Sequence, residues 1–214
     1  MMARNKYDRE KMMARNEHDW ENMTGQGWYE LLREQPQFAD KCDWSKLDGR
    51  NWLSLLLDQP QFADKCDWSK LDGYDWHELL SKRPQFADKC DCWEKLDGWN
   101  WSDLLGEQPQ FAGKCDWSKL DAWDWTWLLQ AQPQFADKCA CWEEINGEDW
   151  SLILQTRPQF ADRCDWAKLD GGDWCWLLRK QPQFADKCDW SKLNDKDWDR
   201  LLEKQPQFAA CRKK

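Results

Sequence analysis

Histidine is nearly absent from this 214-residue chain, which holds only His18 and His77. That shortage gives a Ser-His-Asp or Cys-His catalytic pair little support, and both residues read as structural. Tyrosine is scarce, with three residues against 20 tryptophans. No run of 18 apolar residues exists, so no segment reads as a membrane span. The opening MMARNKYDREKMMARNEHDW is polar and lacks the apolar stretch of a secretory signal. Positive charge is in deficit: 31 Lys and Arg face 40 Asp and Glu, a formal net charge of -9. Nucleic acid and anionic membranes both demand a basic face, so neither is expected as a partner. Eleven cysteines without a secretory signal read as reduced thiols in a cytoplasmic setting.

The chain's abundant feature is repetition. All eight prolines and all eight phenylalanines fall in one motif, typified by QPQFADKCDWSKLDG at 59–73. The motif prolines are Pro36, Pro60, Pro84, Pro109, Pro133, Pro158, Pro182 and Pro206, spaced by 24, 24, 25, 24, 25, 24 and 24 residues. Both longer units carry the same change, Cys90-Asp91-Cys92-Trp93 and Cys139-Ala140-Cys141-Trp142, which marks a turn. Residues 1–25 read as a lead-in with a degraded capping copy around His18-Asp19-Trp20. Residues 26–211 form the tandem array and 212–214 a charged tail.

The unit 49–72 illustrates the expected structure. Gly49 breaks the chain, and Asn51 is the expected N-cap, with counterparts Asp75, Asn100, Asp124, Asp149, Asp173 and Asp197. A first helix over 52–59 places Trp52, Leu55, Leu56 and Gln59 on one stripe. Pro60 ends it and opens a second helix, and Asp67 caps a further 3₁₀ turn through Trp68. Helices this short are unstable alone, so stacking must bury the Trp, Leu, Phe and Cys ladders. The expected fold is all-α: an α-solenoid of about eight stacked helix-turn-helix repeats of 24–25 residues, with 3₁₀ turns.

Variation is confined to five places per unit, spaced i, i+3, i+4, i+7 and i+8 on the first helix. That spacing reads as the helix face opposite the Trp/Leu-Leu stripe. Unconstrained drift predicts Lys, Glu, Ser, Gln and Asp at such places, and the last unit fits it. The middle units instead hold aromatic and apolar residues, which on an exposed face mark contact. The candidate binding residues are Tyr74, His77, Trp99, Trp123, Thr126, Trp127, Gln130, Leu152, Gln155, Trp176 and Arg179.

The repeated acids, such as Asp64, Asp67 and Asp72, recur in nearly every unit and read as caps rather than catalytic carboxylates. Cys42, Cys66, Cys90, Cys115, Cys139, Cys164 and Cys188 read as a ladder of small buried residues, spaced too widely for disulfides. Cys90/Cys92 and Cys139/Cys141 lie a whole unit apart, so no metal site is expected. Cys175, on the variable face, reads as the most reactive thiol. No cofactor and no enzymatic activity are expected.

The phrase QPQFADKCDW, followed by SKLDG and then Asp-Trp with Leu-Leu, resembles bacterial tandem-repeat proteins over residues 18–211. The 24-residue length, with Leu-Leu a few residues before Pro, is more loosely similar to the leucine-rich-repeat variant. That likeness implies an α/3₁₀ solenoid, and neither likeness implies catalytic residues. The expected function is a non-enzymatic scaffold that binds a protein or peptide through its variable helix face. A self-associating rod and a glycan-binding surface of exposed Trp are the alternatives.

Overall fold

The computed structural model describes residues 17–212. Residues 1–16 of the lead-in and capping copy expected over 1–25, and the last two residues of the charged tail, lie outside them, as does the side chain of His18. Eight ten-residue α-helices follow one another: α1 (Gly25–Glu34), α2 (Gly49–Asp58), α3 (Gly73–Lys82), α4 (Gly98–Glu107), α5 (Ala122–Ala131), α6 (Gly147–Thr156), α7 (Gly171–Lys180) and α8 (Asp195–Lys204). Between them run 3₁₀ segments, as in Pro60–Lys65 and Trp68–Lys70. No strand occurs among the described residues. The chain is an all-α solenoid of repeats, arranged in two compact units that meet in sequence at Asp91 and Cys92. The first unit stacks α1 on α2 and α2 on α3; the second stacks α4 through α8 in order.

The helices begin earlier than their sequence suggests. Asp48 is the N-cap of α2, and its carboxylate accepts from the backbone N–H of Asn51 at 2.8 Å. Asn51, expected as the cap, sits three residues into the motif, and its Oδ1 accepts from the Asp48 N–H at 3.3 Å. The pair is a reciprocal capping box. The same box recurs as Asp72/Asp75, Asp97/Asn100, Asp121/Asp124, Asp170/Asp173 and Asn194/Asp197. A polar residue at either place scores as a cap, and only the backbone decides which one holds it.

Proline ends each helix as expected, but the segment after it is 3₁₀ rather than a second α-helix. Gln59 is forced out of the helical region by the proline ring behind it, at φ -131° and ψ 70°. Its N–H still closes the last turn on Leu55 O at 2.7 Å. Pro60 loses no hydrogen bond at the first position, and Cys66 N–H then reaches Ala63 O three residues back. Asp67 caps the next turn through the Ser69 N–H, as the sequence implies.

Two ladders hold each stack together. Trp52, Trp76, Trp101, Trp150 and Trp174, with their Leu or Ile partners, are fully buried. Each receives the Trp of the preceding turn: Trp44 stacks on Trp52 at 5.4 Å and also meets Phe62 at 5.5 Å. Trp117 repeats this on Trp125 and Phe135, and Trp166 on Trp174 and Phe184. The second ladder is polar. Lys70 Nζ donates to Ser45 O and Leu47 O of the preceding repeat, and Lys119 does the same to Glu94 O and Leu96 O. Lys192 holds Ala167 O and Leu169 O. On the other side, Gln132 Nε2 donates to Gly106 O and Gln181 Nε2 to Gln155 O.

One joint is built differently. Glu144 occupies the place of the clamping lysine, so α5 and α6 meet without that bond. Nearby, Asp149 Oδ1 is buried with no hydrogen-bond partner, and the cap formed by Asn146 is one-sided.

Candidate binding face

The variable positions divide into two classes that the sequence does not separate. Tyr74, Trp99, Trp123, Trp127 and Trp176 stand 44, 47, 50, 54 and 51% exposed. Two others expected on the binding face belong inside: His77 is 1% exposed and Thr126 fully buried. Both occupy the i+3 position, where Ser102, Ser151 and Cys175 are buried as well. In an isolated helix that position looks outward. Within the second unit the next helix covers it: Ser151 Oγ donates to Asp173 O of α7 at 3.1 Å. Thr126 Oγ1 turns back to Ala122 O at 2.8 Å, and His77 Nδ1 lies 3.1 Å from Tyr74 O.

Cys175 is corrected by the same geometry. It is 1% exposed, and burial pushes its thiol pKa up, so it is not an accessible nucleophile. The ladder thiols Cys42, Cys66, Cys115, Cys139, Cys164 and Cys188 are pushed up to about 12, chiefly by burial. Cys42, Cys66, Cys115 and Cys188 are half-buried rather than enclosed. Cys139 and Cys141 bring their Sγ atoms to 3.8 Å. Among the described residues no three His, Cys, Asp or Glu side chains are grouped to hold a metal ion.

In the first unit the outer face carries Tyr74, whose ring meets His77 edge-on at 5.4 Å and whose hydroxyl donates to Glu78 Oε1 at 3.4 Å. The second unit carries the rest. Trp123 and Trp127 pack edge to face at 5.9 Å along α5. Gln130 and Gln155 are half-buried and tied to their own helices, through Thr126 O and Ser151 Oγ respectively. Leu152 is half-buried on α6. Arg179 lays its guanidinium over Trp176, 4.8 Å from the ring centroid.

Trp99 and Trp127 also wall an open groove between α4 and α5 of about 450 Å³, lined besides by Ser102, Asp103, Gly106, Glu107 and Ala131. Gly106, Glu107 and Ala131 are not among the candidate residues. Their spacing at i+7 and i+8 is visible in the sequence, but small and acidic residues there read as ordinary surface.

At the helix N-termini, burial and neighbouring carboxylates raise the pKa of Asp75, Asp124, Asp149 and Asp173. Boxes built from two carboxylates, Asp72/Asp75, Asp121/Asp124 and Asp170/Asp173, never occupy consecutive repeats. The pairs between them, Asp97/Asn100 and the one-sided Asn146/Asp149, join one acid with one Asn, which limits like-charge repulsion between repeats.

Comparison of the chain with protein-family models, curated proteins and solved structures finds no match. Among the described residues no helix is long and apolar enough to cross a membrane.

Proposed function

We propose that this protein is a non-enzymatic repeat scaffold that binds a protein or peptide through the outer face of its α-helices. The observation carrying this reading is the exposure of Trp99, Trp123, Trp127 and Trp176, each about half open to solvent on the second unit. The core does not require these indoles, because each repeat already buries its own Trp, as Trp101, Trp125 and Trp174 show. Exposed indoles are costly to hydrate, and large rigid aromatics anchor interfaces with little loss of side-chain entropy. Around them lie the polar residues Gln130, Gln155, Lys180 and Glu107, in the manner of a rim.

The test replaces Trp99, Trp123, Trp127 and Trp176 with Ser together, and pans a displayed random-peptide library against the native and substituted chains. Peptides enriched on the native chain should not be enriched on the variant, whose far-UV circular dichroism and thermal midpoint should be retained. Loss of helicity in the variant, or equal enrichment on both chains, removes the reading. Concentration-dependent association of the native chain that the variant lacks would favour a self-associating rod instead.

A further inference from the structure

Resting on the peptide-binding reading above, we propose that the groove between α4 and α5 is a pocket for an arginine side chain presented by a basic peptide. Three observations converge on a cation. Trp99 and Trp127 line it, and an indole face attracts a cation. The carboxylate of Glu107 lines the same groove, whose lining holds no basic residue. The chain as a whole carries a formal net charge of -9, which draws basic segments toward it.

Another repeat of the same unit supplies an internal precedent. Trp176 on α7 occupies the same place in its repeat as Trp127 on α5, and it is covered by the guanidinium of Arg179 from the next turn. In α5 that next-turn residue is Gln130, which points to Thr126 O instead. Trp127 therefore holds the position of a cation-covered indole, with no basic residue of its own helix to cover it. A guanidinium fits better than an ammonium, because it is planar, stacks on indole and pairs with a carboxylate through two parallel N–H bonds.

The small residues explain why the space exists. Gly106 lies in the last turn of α4, where glycine still favours the helix less than alanine does. Only Ala131 Cβ comes near it, 3.7 Å from where a Cβ on Gly106 would stand. A longer side chain at 106 would occupy the groove while improving local helix propensity. That separates loss of the pocket from loss of the fold.

The experiment titrates the full chain with the heptapeptide Arg-Gly-Arg-Gly-Arg-Gly-Arg and with its citrulline analogue, at about 0.15 M salt to screen diffuse attraction. The readouts are tryptophan fluorescence and the indole N–H resonances of Trp99 and Trp127. The arginine peptide is expected to bind about tenfold tighter than the citrulline peptide. Gly106→Gln, Glu107→Lys and Trp127→Ser should each weaken it about tenfold, with unchanged circular dichroism. Glu203→Lys, the same charge change on α8, should not. Equal binding of the two peptides, absence of binding, equal weakening by Glu203→Lys, or full binding by Gly106→Gln overturns the assignment. Indole shifts that follow protein concentration alone would put a second copy in the groove and also overturn it. If library peptides without arginine depend on the four exposed tryptophans, the wider reading stands and this one fails alone.

Discussion

Lys70 donates its ammonium to the carbonyl oxygen of Leu47, one repeat back, at 2.6 Å. The same ammonium holds Ser45 O at 2.7 Å, so one side chain fastens two carbonyls that a 3₁₀ turn leaves open. Hydrogen bonds from a charged donor contribute about 1.5–3 kcal/mol. Lys70→Met keeps the aliphatic stem and removes the donor, so it should lower stability by about that amount in urea unfolding. Glu144 marks where the clamp is missing, and Glu144→Lys should restore it toward Ser118 O and Leu120 O. Ala122 stands at that joint where the other described repeats of the second unit, α8 excepted, begin with Gly. Its Cβ limits how closely the turn approaches, so Ala122→Gly combined with Glu144→Lys should exceed the sum of the two single changes. Simple additivity would show that the joint is already closed.

Glycine at the start of six of the described helices gives a prediction of opposite sign to helix propensity. Replacing Gly by Ala in a helix favours it by about 0.5–1 kcal/mol on propensity alone. At Gly171, however, a Cβ would strike Lys192 O and Asp197 Oδ2 of the next repeat. At Gly147 the obstacles are Lys168 O and Asp173 Oδ2. None of the described glycines has positive φ, so the requirement is room rather than a special backbone angle. Gly171→Ala is expected to destabilise by about 1–3 kcal/mol, the usual cost of overpacking. Gly106→Ala, whose Cβ would meet Ala131 Cβ at an ordinary contact distance of 3.7 Å, should stabilise by up to about 0.5–1 kcal/mol. Thermal melts of the two variants should move in opposite directions, and parallel shifts would refute the packing account.

The contrast between Gly171 and Gly106 also shows what a sequence can carry. Period, Pro breaks, Trp and Leu stripes and the Asp67 cap come from local rules, so the solenoid is legible. Gly49 reads as a chain break although it is the first helical residue, because the constraint on it comes from the neighbouring repeat. Thr126 and Cys175 read as outward-facing for the same reason: a helical wheel knows its own axis and not the helix stacked beside it. Trp99, Trp123, Trp127 and Trp176 are exposed at the i and i+4 positions, where the spacing puts them. The groove of Gly106, Glu107 and Ala131 needs two helices in register, which no single repeat displays.

The capping boxes give the fold a pH dependence in which two kinds of aspartate act oppositely. Burial raises the Asp124 pKa above its ordinary 3.8, with Asp121 and Asp97 adding to the effect. A raised carboxyl pKa means that the folded chain holds the proton more tightly than the unfolded chain. The ionised group therefore opposes folding above the folded pKa, and that opposition vanishes below the unfolded value. Asp124→Asn should stabilise at pH 7, and its advantage should disappear below about pH 4. The box survives the change, since Asn100 in the same place accepts from the Asp97 N–H at 3.2 Å. Asp67 runs the other way. The Ser69 hydroxyl donates to its carboxylate and lowers its pKa. Its contribution is present above the ordinary carboxylate range and is lost as pH falls through the lowered value. Asp67→Asn should therefore cost stability at pH 7 and cost less in acid. Urea midpoints of both variants against the native chain at about pH 7, 5 and 3.5 decide between the two behaviours. A gain from Asp124→Asn that is independent of pH would mean that its carboxylate is not the source of the penalty.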